Sequence, residues 1–359
     1  MDEFSKARRR TPGAMTLPAF PVGINASRCR SPGWGALRWA FRCEHRVQRF
    51  LGKVTDLITR RDVLRLAGVG GVVFASGLAR ISPASSLPGQ SSHGELSPSP
   101  TEDFYFIQLS DCHWGYEGAA NPRAAVTLPT TIETINGLTQ KPDFIVFTGD
   151  LTHNTDDPFE RRRRMREFEG LVSKSNVEKL YLMPGERDAA LDFGSVYQSL
   201  FGATHYTFDH RGIHFIVLDN VSDPRGLLGE QQLGWLKQHL VRLDPATRIV
   251  VFTHRPLFDL YPDWEWSTRD GATVIEMLQT FPSVTVFYGH IHQEHHFMTG
   301  HIAHHSAKSL VFPLPSPGSK PKPAPVPWDP AHPYQGLGFR AIEAEAQPPA
   351  YKTTEHALV

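Results

Sequence analysis

DFIVFTGD (143–150) is a continuous apolar run that ends abruptly on a glycine and an acid. Runs of this kind are typical of strands that are buried on both faces of a sheet. The same pattern recurs in FYFIQLSD (104–111), VEKLYLMPGE (177–186), RIVVFTH (248–254) and VTVFYGH (284–290). Helical stretches are predicted between the runs at 129–139, 158–173, 229–243 and 270–280, and a strand pair at 205–220. This alternation predicts an α/β protein whose sheets are covered by helices.

Each of the five predicted strands ends on a residue type that commonly binds metal ions. Ligands in open α/β sheets gather outside the carboxyl ends of the strands, so we expect these side chains to converge on one crevice. They are Asp111, His113, Asp150, Glu186 (with Asp188 close by), His254, His290 and His292. Mixed carboxylate and imidazole donors suit Mn, Fe, Zn or Co. The donors are too many for one centre with an open position, but they suit two ions that share a bridging carboxylate. Such a pair can polarise a phosphoryl group and hold a hydroxide for in-line attack.

A family resemblance rests on five ordered blocks between about residue 104 and residue 310. They are Asp111-Cys112-His113, Gly149-Asp150, Gly185-Glu186-Arg187-Asp188, His254 and Gly289-His290-Ile291-His292. Together they resemble the calcineurin-like metallophosphoesterase superfamily. The stretch LDN…GLLGEQQLGWLKQHL (218–240) further resembles the branch that includes class III cyclic-nucleotide phosphodiesterases and glycerophosphodiesterases.

The resemblance implies a four-layer α/β/β/α sandwich and two divalent or trivalent metal ions, Mn, Fe or Zn. It assigns one metal to Asp111, His113, Asp150 and His292. The second metal is assigned to Asp150, Glu186, His254 and His290, with Asp150 as the bridge. Cys112 lies between two of these residues, but a strand alternates faces, so it is interpreted as buried packing.

The third block departs from the family pattern, which is usually Gly-Asn-His followed by Asp or Glu. Glu186 keeps an oxygen donor and adds a negative charge. Arg187 cannot usefully donate a proton at neutral pH, but it can bind a phosphate oxygen and stabilise developing negative charge. His153, in the loop after Asp150, is the predicted alternative source of the proton.

The donor set predicts hydrolysis of a small phosphate ester by metal-bound hydroxide that attacks phosphorus, and the resemblance implies that the enzyme is a phosphodiesterase. Two alternatives stay open. One is a phosphomonoesterase on the same site. The other is a metal-binding homologue that lost turnover when the usual histidine of the third block became Arg187.

The front of the chain resembles a twin-arginine export signal. Arg60 and Arg61 precede a weakly apolar, glycine-rich run that is too short to span a bilayer, with a short amphipathic helix as the alternative reading. The signal predicts export of a folded protein by the twin-arginine machinery, to the periplasm or beyond, without a transmembrane helix in the mature chain.

Composition shifts divide the chain into five predicted parts. They are a basic extension that a misassigned start would explain (1–52), the signal (53–84), a Ser/Pro linker (85–101), the metallophosphoesterase domain (102–310) and a proline-rich tail (311–359). Proline spacing in the tail predicts an extended segment without helix or interior strand. This segment is either a linker or, as its aromatic residues favour, a rim that wraps back over the site with Trp328, Tyr334 and Phe339.

Charge and cysteine content exclude other classes. Residues 1–65 contain 14 Lys and Arg against 5 Asp and Glu, which leaves 23 against 32 for the rest of a chain of zero net charge. A mildly acidic body argues against a nucleic-acid surface, and Arg161–Arg164 are interpreted as a solvated helix face. Three cysteines cannot form a disulfide framework.

Seven histidines between 290 and 305 include the two ligands; the others are interpreted as surface or ligand-orienting groups, with a third metal site as the alternative.

Overall fold

The computed structural model describes residues 73–74, 102–346 and 350–358. The chain divides into two units, Met1–Asp56 and Leu57–Val359, and the first lies outside the described residues. The predicted extension, signal and linker (1–101) also lie outside them, apart from Val73 and Phe74.

The described residues form two six-stranded sheets and six α-helices. In chain order the strands are β1 (Val73–Phe74), β2 (Phe104–Leu109), β3 (Ile145–Thr148), β4 (Leu180–Met183), β5 (Tyr206–His210), β6 (Ile213–Val217), β7 (Arg248–Phe252), β8 (Val284–Tyr288), β9 (His295–Thr299), β10 (Ile302–Ser306), β11 (Gly338–Glu345) and β12 (Ala350–Ala357). The helices are α1 (Ala124–Asn136), α2 (Pro158–Val172), α3 (Glu186–Ala189), α4 (Ser195–Phe201), α5 (Gly229–Leu240) and α6 (Gly271–Leu278), and Pro262–Trp264 form a 3₁₀ turn.

The strand order places the predicted ligand-bearing strands side by side. The first sheet runs β1-β12-β11-β2-β3-β4, and β2, β3 and β4 are parallel. The second sheet runs β5-β6-β7-β8-β10-β9, and its four inner strands β6, β7, β8 and β10 are parallel. All five predicted strands and the strand pair 205–220 are confirmed, and β9 and β10 form a hairpin after the last ligand block. The carboxyl ends of neighbouring parallel strands therefore meet at one edge of each sheet.

Three apolar layers show how the sheets and helices stack. A cluster that is rich in phenylalanine, including Phe106, Phe215, Phe252 and Phe287, fills the space between the sheets. Residues on the opposite faces of β2 and β3 pack against α1 and α2, and those of β7 and β8 pack against α5 and α6. The predicted four-layer α/β/β/α sandwich is confirmed. Among the described residues, no helix has the length and apolar character needed to cross a membrane.

Two boundaries differ from prediction for identifiable reasons. Helix α1 begins at Ala124 rather than at Pro129, because Ala124 and Leu128 are already buried against the body of the protein. The predicted domain end at residue 310 is wrong. Residues 338–357 form β11 and β12, and β11 is an interior strand beside β2. No proline lies between Pro333 and Pro348, so β11 contains none.

Candidate metal centre

The seven predicted ligands lie in the loops that follow five parallel strands. Asp111 and His113 follow β2, Asp150 follows β3, and Glu186 begins α3 just after β4. The remaining three are His254 after β7, and His290 and His292 after β8. Their donor atoms form overlapping groups of three within 4.8 Å of one another, so the structure brings all seven together.

An unusual backbone conformation accompanies this convergence. Five of the seven residues have left-handed φ angles between 45° and 66°, namely Asp111, His113, Asp150, His290 and His292. Residues other than glycine pay about 1–2 kcal/mol each for this conformation. Strain of this kind concentrates at functional sites, where the surrounding fold enforces it. The close approach of α3 also requires a glycine, because a Cβ at Gly185 would lie 2.1 Å from the backbone nitrogen of Asp150.

The first donor group surrounds Asp111. The Nε2 atom of His292 lies 3.3 Å from Asp111 Oδ1. His113 completes the group, and its Nε2 atom lies 3.3 Å from Asp150 Oδ2. Asp111, His113, Asp150 and His292 are all buried.

The second donor group surrounds Glu186. Its Oε2 atom lies 3.0 Å from His254 Nε2, and its Oε1 atom lies 2.8 Å from His290 Nδ1. His254 Nε2 also lies 3.7 Å from Asp150 Oδ2 and 3.9 Å from Asp111 Oδ1. The carboxylates of Asp111 and Asp150 thus lie between the two groups.

Several of these donor atoms are buried without a hydrogen-bond partner among the described residues. They are Asp111 Oδ1, His113 Nε2, Glu186 Oε2, His254 Nε2 and His290 Nε2. A buried polar atom that lacks a partner costs about 1–3 kcal/mol. A bound cation would provide the missing partner for such buried oxygen and nitrogen atoms. The residues of the pocket therefore fit a pair of metal ions.

Outer hydrogen bonds orient the histidines. The Nδ1 atom of His254 lies 2.7 Å from the carbonyl oxygen of Thr148, and that of His292 lies 2.7 Å from the carbonyl oxygen of Phe312. A carbonyl oxygen only accepts, so Nδ1 carries a proton and Nε2 faces the site, where a bound metal ion would take its lone pair. His113 Nδ1 contacts His153 Nδ1 at 3.1 Å. The sequence pattern carried no signal for the two carbonyl partners.

Asp188 supports the site from outside it. Its carboxylate accepts hydrogen bonds from the backbone nitrogens of Leu151, Thr152 and Gly185, each at 2.9 Å. These bonds tie the loop after β3 to α3. Burial, together with the charge of Asp150, raises the pKa of Asp188 to about 7.

The charges in the pocket shift the pKa values of its members strongly. Burial lowers the pKa of His113 to about 3. Burial also acts to lower that of His254, but the carboxylates of Asp150 and Glu186 raise the pKa well above its ordinary value. Although burial opposes it, the cations around Glu186, led by His290, His254 and Arg255, hold its pKa well below the usual range. The pocket is therefore built to keep its carboxylates ionised.

The two predicted catalytic residues lie at the edge of the pocket. The backbone nitrogen of Arg187 donates to Asp150 Oδ1 at 2.8 Å, and its side-chain Nε lies 4.0 Å from Asp150 Oδ2. The Arg187 side chain is 45% exposed, so solvent and substrate can reach it. His153 is half-buried, and burial, followed by the charge of Arg187, lowers its pKa to about 4.

Other candidates lie outside the pocket. Cys112 is buried in the apolar layer beneath α1 and α2, as predicted, and burial raises the pKa of its thiol well above the ordinary value. Within the described part of the chain, no group of three donors forms around the histidines of β9 and β10, so the third metal site is not supported.

Comparisons with known proteins relate this chain to phosphoesterases. A model of the calcineurin-like phosphoesterase family matches residues 104–294. A relative from Arcobacter nitrofigilis, a probable glycerophosphodiester phosphodiesterase (GpdQ), is 28% identical over 161 residues, which cover 42% of this chain and 56% of the relative. The match thus spans little more than half of that relative's length.

Solved structures with a similar chain path include two phosphatases. A dimetal phosphatase from Danio rerio has a TM-score of 0.49 at 14% identity, and the match covers 67% of this chain and 95% of that one. The purple acid phosphatase PPD1 from yellow lupin seeds has a TM-score of 0.47 at 13% identity, with 69% of this chain and 50% of that one covered.

Proposed function

From the premise that this chain belongs to the calcineurin-like phosphoesterase family and is a metal-dependent phosphoesterase, we propose that it hydrolyses phosphodiesters at a pair of metal ions. One ion is assigned to Asp111, His113, Asp150 and His292. The other is assigned to Asp150, Glu186, His254 and His290, so that Asp150 bridges the pair. Mn, Fe and Zn all suit this donor set.

The observation that carries the proposal is the set of buried donor atoms without partners in one pocket. Two bound cations would polarise the phosphoryl group and activate a water for in-line attack. The protein's own contribution is to hold seven mostly buried metal-binding residues in a strained backbone arrangement, with two of the imidazoles oriented by backbone carbonyls.

Arg187 is the residue we assign to the substrate phosphate. Its guanidinium lies at the exposed rim, while its backbone nitrogen is anchored to Asp150. A planar cation in this place can bind two phosphate oxygens and stabilise the negative charge that develops on them. His153, which contacts His113, is the candidate for transferring a proton to the leaving group, because the negative charge of a bound phosphate would raise its lowered pKa.

A diester is proposed as the substrate because the Arcobacter nitrofigilis relative carries the name of a diester hydrolase. Because the identity is 28% and the match spans 56% of that relative, the name guides the choice of assay and does not identify the natural substrate.

The test is hydrolysis of bis-p-nitrophenyl phosphate and p-nitrophenyl phosphate by purified protein with added Mn²⁺. We expect diester turnover that disappears in Asp150→Ala and persists in Asp156→Ala, which removes an exposed acid of the same loop. Preferential monoester turnover would assign the site to a phosphomonoesterase. Two bound metals without turnover of either substrate would instead indicate an inactive metal-binding homologue.

We also propose that the protein is exported through its twin-arginine segment. The proposal rests on Arg60, Arg61 and the short apolar run that follows them. Export of a folded chain would let the metal ions bind before translocation. Lysine at both positions should retain the protein in the cytoplasm, as cell fractionation would show; undiminished export of that variant would contradict the proposal.

A further inference from the structure

A buried arginine lies directly behind the second donor group. Arg255, the residue after His254, is 8% exposed, and its Nε atom lies 3.6 Å from Glu186 Oε2. Within the described part of the chain, neither of these two atoms has a hydrogen-bond partner. A buried guanidinium beside a half-buried carboxylate that faces two histidines needs a physical account.

The surrounding loops hold Arg255 in this position. Asn220 Oδ1 accepts from the backbone nitrogens of His254 and Arg255, and Asn220 Nδ2 donates to the Arg255 carbonyl at 2.9 Å. Gly226 leaves space for the guanidinium, because a Cβ there would lie 2.6 Å from Arg255 Nη1. Among the residues that the structure describes, the second carboxylate within 4.0 Å of the Arg255 guanidinium is that of Glu265, at 3.5 Å from Nη2, but its side chain is 77% exposed. The main electrostatic partner of Arg255 is therefore Glu186.

The charge balance of the pocket explains why such a partner is useful. Asp111, Asp150 and Glu186 place three carboxylates around the same buried space. Without metal ions these charges repel one another in surroundings that screen them poorly. A fixed cation behind Glu186 offsets part of that repulsion.

We propose that Arg255 is a positioning residue that acts through Glu186. It stabilises the carboxylate while no cation is bound and weakens the hold of the pocket on the cation once it is bound. This inference rests on the proposed assignment of Glu186 to the second metal. It concerns the protein's binding of metal, so it can be tested without measuring turnover.

The proposal predicts opposite effects on the metal-free and metal-bound protein. Removing the positive charge should lower the melting temperature of the chelator-treated protein. It should also tighten Mn²⁺ binding at one site, by about tenfold, because the Glu186 carboxylate then offers its charge to the bound cation alone. An arginine that only fills space would instead lower the melting temperature equally with and without metal.

The experiment is a calorimetric Mn²⁺ titration, with melting temperatures, on the purified full-length protein and four variants: Arg255→Met, Arg255→Lys, Glu186→Gln and the double variant Glu186→Gln/Arg255→Met. Arg255→Met should bind Mn²⁺ about tenfold more tightly and melt at a lower temperature without metal. Arg255→Lys keeps the charge and should stay close to the parent. In the Glu186→Gln background the Arg255→Met change should have little effect on either quantity.

Several results would overturn the proposal. Weaker or unchanged Mn²⁺ binding in Arg255→Met, or equal effects in both backgrounds, would exclude a role through Glu186. A raised KM for bis-p-nitrophenyl phosphate in both backgrounds, with unchanged Mn²⁺ affinity, would make Arg255 a substrate contact. Unaltered Mn²⁺ binding in Glu186→Gln would show that Glu186 is not a metal ligand, and the role proposed for Arg255 would then be wrong as well. The proposed hydrolase activity is tested separately, by the loss of turnover in Asp150→Ala. If Arg255→Met does not fold, the double variant and Arg255→Lys still decide the question: double-variant instability would indicate a structural role and contradict the proposal.

Discussion

The Nδ1 atom of His292 lies 2.7 Å from the carbonyl oxygen of Phe312, twenty residues further along the chain. The Phe312 ring packs against the imidazole of His292, with 5.0 Å between ring centroids, and against that of His113 at 5.9 Å. Phe312, at the start of the proline-rich segment, therefore forms one wall of the donor pocket, the pocket that the seven predicted metal ligands line. It fixes the orientation of two proposed ligands from outside.

Removal of the Phe312 ring should weaken metal binding. We expect Phe312→Ala to weaken Mn²⁺ binding by about tenfold, since groups that orient metal ligands typically contribute 10- to 100-fold. Calorimetric titration measures the effect. Phe281→Ala is the matched control, because Phe281 is similarly buried in the layer beneath α6 and should lower stability without changing Mn²⁺ affinity. Equal Mn²⁺ affinities for the two variants would contradict the prediction.

Replacement of Arg187 should affect turnover and leave metal binding intact. Because its guanidinium is assigned to the substrate phosphate, we expect Arg187→Met to lower kcat/KM for bis-p-nitrophenyl phosphate by about 100-fold. The control is Arg166→Met on α2, an exposed arginine outside the donor pocket, which should retain full activity. Arg187→His should in addition raise the rate on substrates with poor leaving groups, because an imidazole can donate a proton. A parent-like kcat/KM for Arg187→Met would remove the residue from the mechanism.

Replacement of His153 separates two roles. Its contact with His113 predicts that His153→Ala weakens Mn²⁺ binding by about tenfold, and His153→Gln, which can restore a hydrogen bond to His113, should recover most of that loss. Proton donation by His153 predicts a further rate loss at saturating Mn²⁺, larger for poorer leaving groups. A series of aryl phosphodiesters measures this dependence, and unchanged turnover in His153→Ala would dismiss the proton-donor role.

The left-handed backbone of the ligand loops should be measurable as stored strain. His290 has a φ of 66°, which alanine tolerates poorly and glycine adopts freely. Urea unfolding in the presence of chelator should show His290→Gly more stable than His290→Ala by about 1 kcal/mol. At His254, where φ is not positive, the same pair of substitutions should show the opposite order, with alanine more stable. If the alanine variant were more stable than the glycine variant at both positions, the prediction of backbone strain at His290 would be wrong.

Acid should destabilise the fold through a buried histidine far from the donor pocket. Burial lowers the pKa of His304 to about 4, so between pH 6.5 and pH 4 the unfolded chain binds the proton more readily than the folded one. The contribution of the neutral His304 side chain to the unfolding free energy is fully present above pH 6.5 and decreases as the pH falls. Between pH 7.5 and pH 5 the loss is about 2 kcal/mol. His304→Gln should therefore show a smaller decrease in unfolding free energy over this interval, whereas the exposed His332→Gln should match the parent. Identical decreases in all three proteins would contradict the assignment.

The side chains of the site could be predicted from the sequence because each follows a strand whose apolar run is easy to recognise. Asp111, Asp150 and His254 occupy the same position relative to their strands, and parallel pairing brings such positions together. The four-layer arrangement also followed from local pattern together with family resemblance. The last two strands could not be predicted with the same ease, since the prolines before residue 334 dominate the composition of the tail.

The sequence by itself determined which residues carry donor atoms and which strands deliver them, because apolar periodicity and residue type are local properties. Only the tertiary structure decided which groups contact those metal-binding residues from outside the pocket. The carbonyl oxygens of Thr148 and Phe312 belong to the backbone, which has the same chemistry at every residue and leaves no trace in composition. The approach of Arg255 to Glu186 joins loops from different sheets, and such a contact exists only once both sheets have packed.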